Sequence, residues 1–147
     1  MSRKNVYQTN YDRLVKLQII SEDGTFRPDG RSQSDGYMDL VFERLSHLDK
    51  FNGNNCKAFS ITHYFEQNGD LCQDPDMVVL VYPVLKYAEA YSYQQAIPPV
   101  YQEVYPEPGM VAPTVKKELN VFLRSWLNNL IAQKHGIQWN NNLVESA

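Results

Sequence analysis

Residues 57–82 read KAFSITHYFEQNGDLCQDPDMVVLVY, and this stretch decides the fold. In its first half Phe59, Ile61, His63 and Phe65 alternate with Ser60, Thr62, Tyr64 and Glu66. A period of two puts one set on a buried face and the other on a wetter face, so 57–67 is predicted to be a strand. Asn68-Gly69 follows, the dipeptide best suited to a two-residue hairpin because both central positions take positive φ. Asp70 to Pro75 is predicted to be irregular, since Pro75 cannot donate to a ladder. Met77 to Tyr82 is apolar throughout, as in a central strand covered on both faces.

Working outward, Met38, Leu40 and Phe42 alternate with Asp39, Val41 and Glu43, which predicts a strand upstream. A fourth strand is predicted over Ala88 to Gln95, with Tyr91 and Tyr93 on one face and Ser92 and Gln94 on the other. Between these runs, 22–36 is polar, holds three glycines, and is read as a flexible loop. The proline-rich segment 96–113 is read as an extended crossover to the last helix. That helix starts at Pro113, where a missing N–H costs nothing. Val115, Leu119, Phe122, Trp126, Leu130 and Gln133 recur at spacings of three and four and make its buried stripe. Gly136 is expected just past its end, and 137–147 is expected to fray. A short N-terminal helix is expected near 10–21, capped by Thr9 or Asn10. The expectation is therefore a single α+β domain over 1–147: a four-stranded antiparallel sheet, a short N-terminal helix and a long C-terminal amphipathic helix.

At 147 residues the chain is long enough to bury one core unaided. A formal charge of −3 does not supply the clustered basic surface that nucleic acid requires, and no run approaches a membrane span. Cys56 and Cys72 lack partners at metal spacing, so no metal or cofactor is expected. An N-terminus without an apolar run and reduced thiols fit a cytoplasmic protein.

Two constellations could carry function. The first is His63–Met77, where a histidine and four carboxylates fall within 14 residues. His63 with Asp70 and Asp74 could serve a small enzyme or a ligand-binding protein. Yet His63 shares a face with phenylalanines, and Asp74 flanks a proline as turn residues do. The second is Tyr93 and Gln94 with Tyr101 and Tyr105, aromatic and amide groups in an extended segment. Tyrosine pairs an apolar ring with a polar tip, and ten of them suit a contact surface. No lysine or arginine lies between Lys86 and Lys116, which argues against base stacking. The candidate binding residues are His63, Tyr64, Asp70, Asp74, Tyr93, Gln94, Tyr101 and Tyr105, with no catalytic or metal residue assigned.

The pattern His63-Tyr64-x4-Gly69-Asp70-Leu71-x2-Asp74-Pro75-x-Met77 resembles a family of small bacterial domains of unknown function, often carried on plasmids and other mobile elements. The later Ala88-Glu89-Ala90 and Tyr101-Gln102-Glu103-Val104-Tyr105 stretches fit the same resemblance. It implies no activity. It does imply that the hairpin and the tyrosine segments share one surface, in an accessory protein acting on a host protein. The expected function is thus non-catalytic protein binding, with the His63-based enzyme or ligand-binding protein as the alternative.

Overall fold

The alternation in 57–67 and the apolar run after it are realised as the two longest strands of a sheet, in a computed structural model of the chain. The structure describes residues 4–140 apart from positions 52, 54, 68, 69, 97 and 108; the side chains of 64–74 are likewise outside the description. The strands are β1 (Gly30–Ser32), β2 (Leu40–Arg44), β3 (Lys57–Gln67), β4 (Asp70–Tyr82), β5 (Tyr87–Gln95), β6 (Val100–Glu103) and β7 (Trp139–Asn140). Their spatial order is β6-β5-β4-β3-β2-β1-β7, antiparallel throughout. Helices α1 (Val6–Lys16) and α2 (Pro113–Ala132) pack on each other and on β5.

The four-stranded sheet expected from the sequence is therefore corrected to seven strands. The additional strands, β1, β6 and β7, have only three, four and two residues. They lie in the segments read as loop, crossover and tail. Runs that short carry no readable period of two, and backbone groups pair at a sheet edge whatever their side chains. Pro75 also falls inside β4 rather than in an irregular segment. Thr62 pairs with Asp76 and Tyr64 with Gln73, so Asp74 and Pro75 stand together opposite His63. This bulge takes up a residue that has no N–H to give. Asn68 and Gly69 lie outside the described residues.

The helix boundaries move for equally local reasons. The cap of α1 is Asn5, not Thr9 or Asn10: its side chain accepts from Gln8 N, and the Gln8 side chain accepts from Asn5 N. Asn10 is instead fully buried and donates to Asn120 O of α2. At the other end α2 closes in a Schellman motif, with His135 N bonded to Leu130 O and Lys134 N to Ile131 O. Lys134 takes the left-handed position, at φ 66, that was expected of Gly136.

The main core lies between the sheet and the helices: Leu40 and Phe42 of β2, Phe59 and Ile61 of β3, Met77, Val79 and Val81 of β4, and Leu119, Leu123, Trp126, Leu127 and Leu130 of α2. Phe122 was expected in this stripe but stands at its rim, 38% exposed. Burying Leu123 and Leu127 alone stabilises by about 1.5–3 kcal/mol each. Asn120 ties the layers together: its Oδ1 accepts from Ala90 N of β5 at 2.8 Å. On the far face Cys56, Ala58 and Leu80 form a smaller cluster under Leu45, Leu48, Tyr82, Tyr91 and Tyr105. No helix among the described residues is long and apolar enough to cross a membrane.

Candidate functional site

The bulge in β4 and the end of α2 bring His63 to the floor of a cleft. His63 follows Ile61 on the helix-facing side of β3 and pairs with Leu40 of β2, so it is only 5% exposed. The Trp126 ring meets it edge-on at 5.4 Å, and the His135 ring lies 5.7 Å away. Above them the cleft is walled by Tyr37 and Met38 on one side and, on the other, by Phe122, Ser125 and Asn129 of α2 with Gln133 just past its end, around about 320 Å³.

The segment after α2 is held there by residues of the 22–36 stretch, which the sequence predicts to be a flexible loop. Ser32 of β1 is fully buried. Its Oγ accepts from Gly136 N at 3.1 Å and lies 3.0 Å from His135 Nδ1. The Ser32 hydroxyl can donate to Nδ1 or accept from it, according to the tautomer of His135. Ser34 Oγ donates to Gln133 O, and Trp139 Nε1 donates to Leu17 O at 3.0 Å. Gly136 is required: at φ 91 its own Cβ would lie 2.7 Å from Leu17 O.

Three buried side-chain polar atoms that lack a hydrogen-bond partner among the described residues belong to side chains lining this cleft: His63 Nε2, Trp126 Nε1 and Gln133 Oε1. Buried polar atoms are ordinarily paired, so such a cluster marks a place where something else supplies the partners. The two imidazoles are neutral at physiological pH. Burial, with His135 next to it, pushes His63 down to about 4 against a weaker opposing pull from Asp39. Burial also lowers His135, against the opposing pull of a hydrogen bond to the Met38 backbone and of Asp39. Asp39 is engaged by Arg31 at 2.9 Å. Among the described residues no three metal-ligating side chains converge.

The sequence-predicted residues divide over the sheet. His63 lies at the cleft floor, and Tyr93 stands behind it, its ring edge-on to Phe122 at 5.3 Å. Gln94 pairs with Tyr101 on the opposite face, where Tyr101 is 56% exposed and its hydroxyl donates to Glu103. Tyr105 packs against Phe51 and Tyr91 and donates to Glu89 Oε1 at 2.9 Å. Tyr91 and Tyr93, expected on one face, lie on opposite faces, because Tyr91 is an extra residue between the Val78–Ser92 and Val79–Ala90 pairs. The Tyr64, Asp70 and Asp74 side chains lie outside the described residues.

Sequence reasoning missed Ser32, Gln133 and His135 as site residues and took Trp126 for core alone. The available signal was polar: Asn129 and Gln133 interrupt the edge of an otherwise apolar stripe.

The chain belongs to the family described as a domain of unknown function (DUF6908), whose model matches residues 9–136. No curated protein and no solved structure matches it.

Proposed function

We propose, with that family membership as the premise, that the domain is a non-catalytic binding protein. In this reading its ligand presents a hydrogen-bond acceptor, a carboxylate or carbonyl oxygen, to the cleft at His63 and Trp126. The carrying observation is that His63, Trp126 and Gln133 line one cleft with His63 Nε2, Trp126 Nε1 and Gln133 Oε1 buried and without a partner among the described residues. An unpaired buried polar atom costs about 1–3 kcal/mol, which a ligand that pairs it recovers. Trp126 Nε1 can only donate and carries no charge, so an acceptor oxygen is the group that would pair it. Exposed Tyr37 and Met38 at the rim suit the apolar remainder of such a ligand. The reading keeps His63 from the enzyme-or-ligand alternative and does without Asp70 and Asp74.

Protein recognition remains a second reading, on a different surface. Strand β6 is an edge of the sheet, with Val100 and Tyr101 exposed along it, and such an edge accepts an added strand. A cytoplasmic accessory protein of a bacterial mobile element belongs to this proposal. The motif resemblance and the buried Cys56 thiol support it.

The test is an NMR titration with a panel of small aliphatic and aromatic carboxylates, following the His63 and His135 rings and the Trp126 indole N–H. Saturable shifts at all three are expected, lost in His63→Phe. A panel in which no member moves these signals sinks the cleft reading; strand pairing at β6 is then tested with extended peptides.

A further inference from the structure

A second site lies away from this cleft, at the stretch of β5 that β6 does not reach. Tyr82, Tyr87, Tyr105 and Glu89 meet there with Tyr7 of α1 and Lys116 of α2 around about 310 Å³. Glu89 is a buried carboxylate, its side chain 8% exposed. It accepts from Tyr82 at 2.7 Å and from Tyr105 at 2.9 Å. The rings of Tyr7 and Tyr87 stand 6.1 Å apart. Between these groups sits the chain's own cation: Lys116 Nζ is 5.6 Å from the centre of the Tyr7 ring and 3.6 Å from Glu89 Oε2. That contact is electrostatic and too long for a hydrogen bond.

We propose that this is an aromatic cage for a quaternary ammonium group, with Lys116 as its tethered internal occupant. Four tyrosines and one desolvated carboxylate, with Leu85 beside them, form the electron-rich, weakly hydrating lining that such cations prefer. A primary ammonium is compact and strongly hydrated, so it forgoes water in such a lining and gains only a loose contact. A methylated ammonium has little hydration to lose and enough volume to touch several rings at once. Glu89 supplies the charge, and its hydrogen bonds from Tyr82 and Tyr105 hold it in place. Lys116 sits near the start of α2, half-buried, and can swing outward to let a ligand enter.

The experiment titrates the full chain with tetramethylammonium chloride, with sodium chloride at equal ionic strength as the blank, reading tyrosine ring signals by NMR. Wild type, Lys116→Ala, Glu89→Gln and Tyr7→Ala are compared. Saturable shifts at Tyr7, Tyr82, Tyr87 and Tyr105 are expected, with affinity raised on the order of tenfold in Lys116→Ala, since one competing cation contact is removed. Affinity should fall in Glu89→Gln and in Tyr7→Ala, the second of which leaves the buried carboxylate untouched. A trimethyllysine peptide run alongside its unmethylated counterpart distinguishes a chain-borne from a free cation; binding of either methylated probe supports the cage. Shifts no larger than those from sodium, or a Lys116→Ala variant that binds no tighter than wild type, would overturn it.

Discussion

Replacing His63 with phenylalanine should remove a defined part of the acid sensitivity of folding. In the folded chain His63 titrates at about 4, because burial and His135 disfavour its charge. In the unfolded chain it titrates near the ordinary value of 6.5. The unfolded state thus binds the proton first, and stability falls as pH drops below 6.5, levelling out below about 4. The difference of 2.5 between those values (6.5 − 4) corresponds to about 3 kcal/mol at its limit and about 2 kcal/mol by pH 5. Urea denaturation of wild type and His63→Phe at pH 8, 6.5 and 5 gives the difference directly, since titrating groups common to both proteins cancel. The wild type should lose about 2 kcal/mol more than the variant between pH 8 and pH 5. Parallel pH profiles would refute the reasoning, because they would mean His63 charges as easily folded as unfolded.

Other outcomes follow from single contacts. Trp126→Ala should cost about 3–5 kcal/mol by chemical denaturation; a loss under about 1 kcal/mol would deny that this face of α2 is core. Lys134→Gly should stabilise the chain by about 0.5–1 kcal/mol, because a side chain at φ 66 is relieved at the C′ position of α2, and an unchanged or lower Tm would contradict that. Asn120→Ala should cost about 1–3 kcal/mol and speed hydrogen exchange at the Ala90 amide, which loses its acceptor. Gly136→Ala should destabilise by more than about 1 kcal/mol, read as a lowered Tm with both far-UV helix signal and Ser32–His135 contact monitored.

The pattern that carried the fold was periodicity, and it worked where elements were long. The alternation of Phe59, Ile61 and His63, and the spacing of Leu119, Trp126 and Leu130, placed β3 and α2 with the right faces inward. It was silent for Gly30–Ser32 and Trp139–Asn140, whose pairing is backbone geometry imposed by neighbours. Local chemistry was present but misjudged at Asn5-x-x-Gln8, a capping box that outweighs the caps expected at Thr9 and Asn10. The candidate site was half legible: His63 stood out as a histidine in an apolar row. Ser32 and His135 lie 103 residues apart in sequence, and only the assembled fold brings them together. Tyr93 and Tyr101 fall on opposite faces because Tyr101 pairs with Gln94, and the extra residue at Tyr91 puts Tyr91 on the face opposite Tyr93 as well.

The strand order carries a consequence for how the chain assembles in time. From β1 to β6 every strand lies beside its immediate predecessor in sequence, so that part of the sheet can grow by successive short-range zippering, the kind of topology that folds quickly. Strand β7 breaks the rule: it joins the outer side of β1 only after α2 has crossed the sheet. Its docking is a long-range closure whose entropic cost is met late. Trp139, bonded to Leu17 O and lying under Arg27 at 4.2 Å, then works as a clasp between the last segment to arrive and the first helix-to-sheet turn. The His135 side of the cleft comes into register at that same late step, so the competence of the site to bind should lag behind the formation of the sheet during refolding.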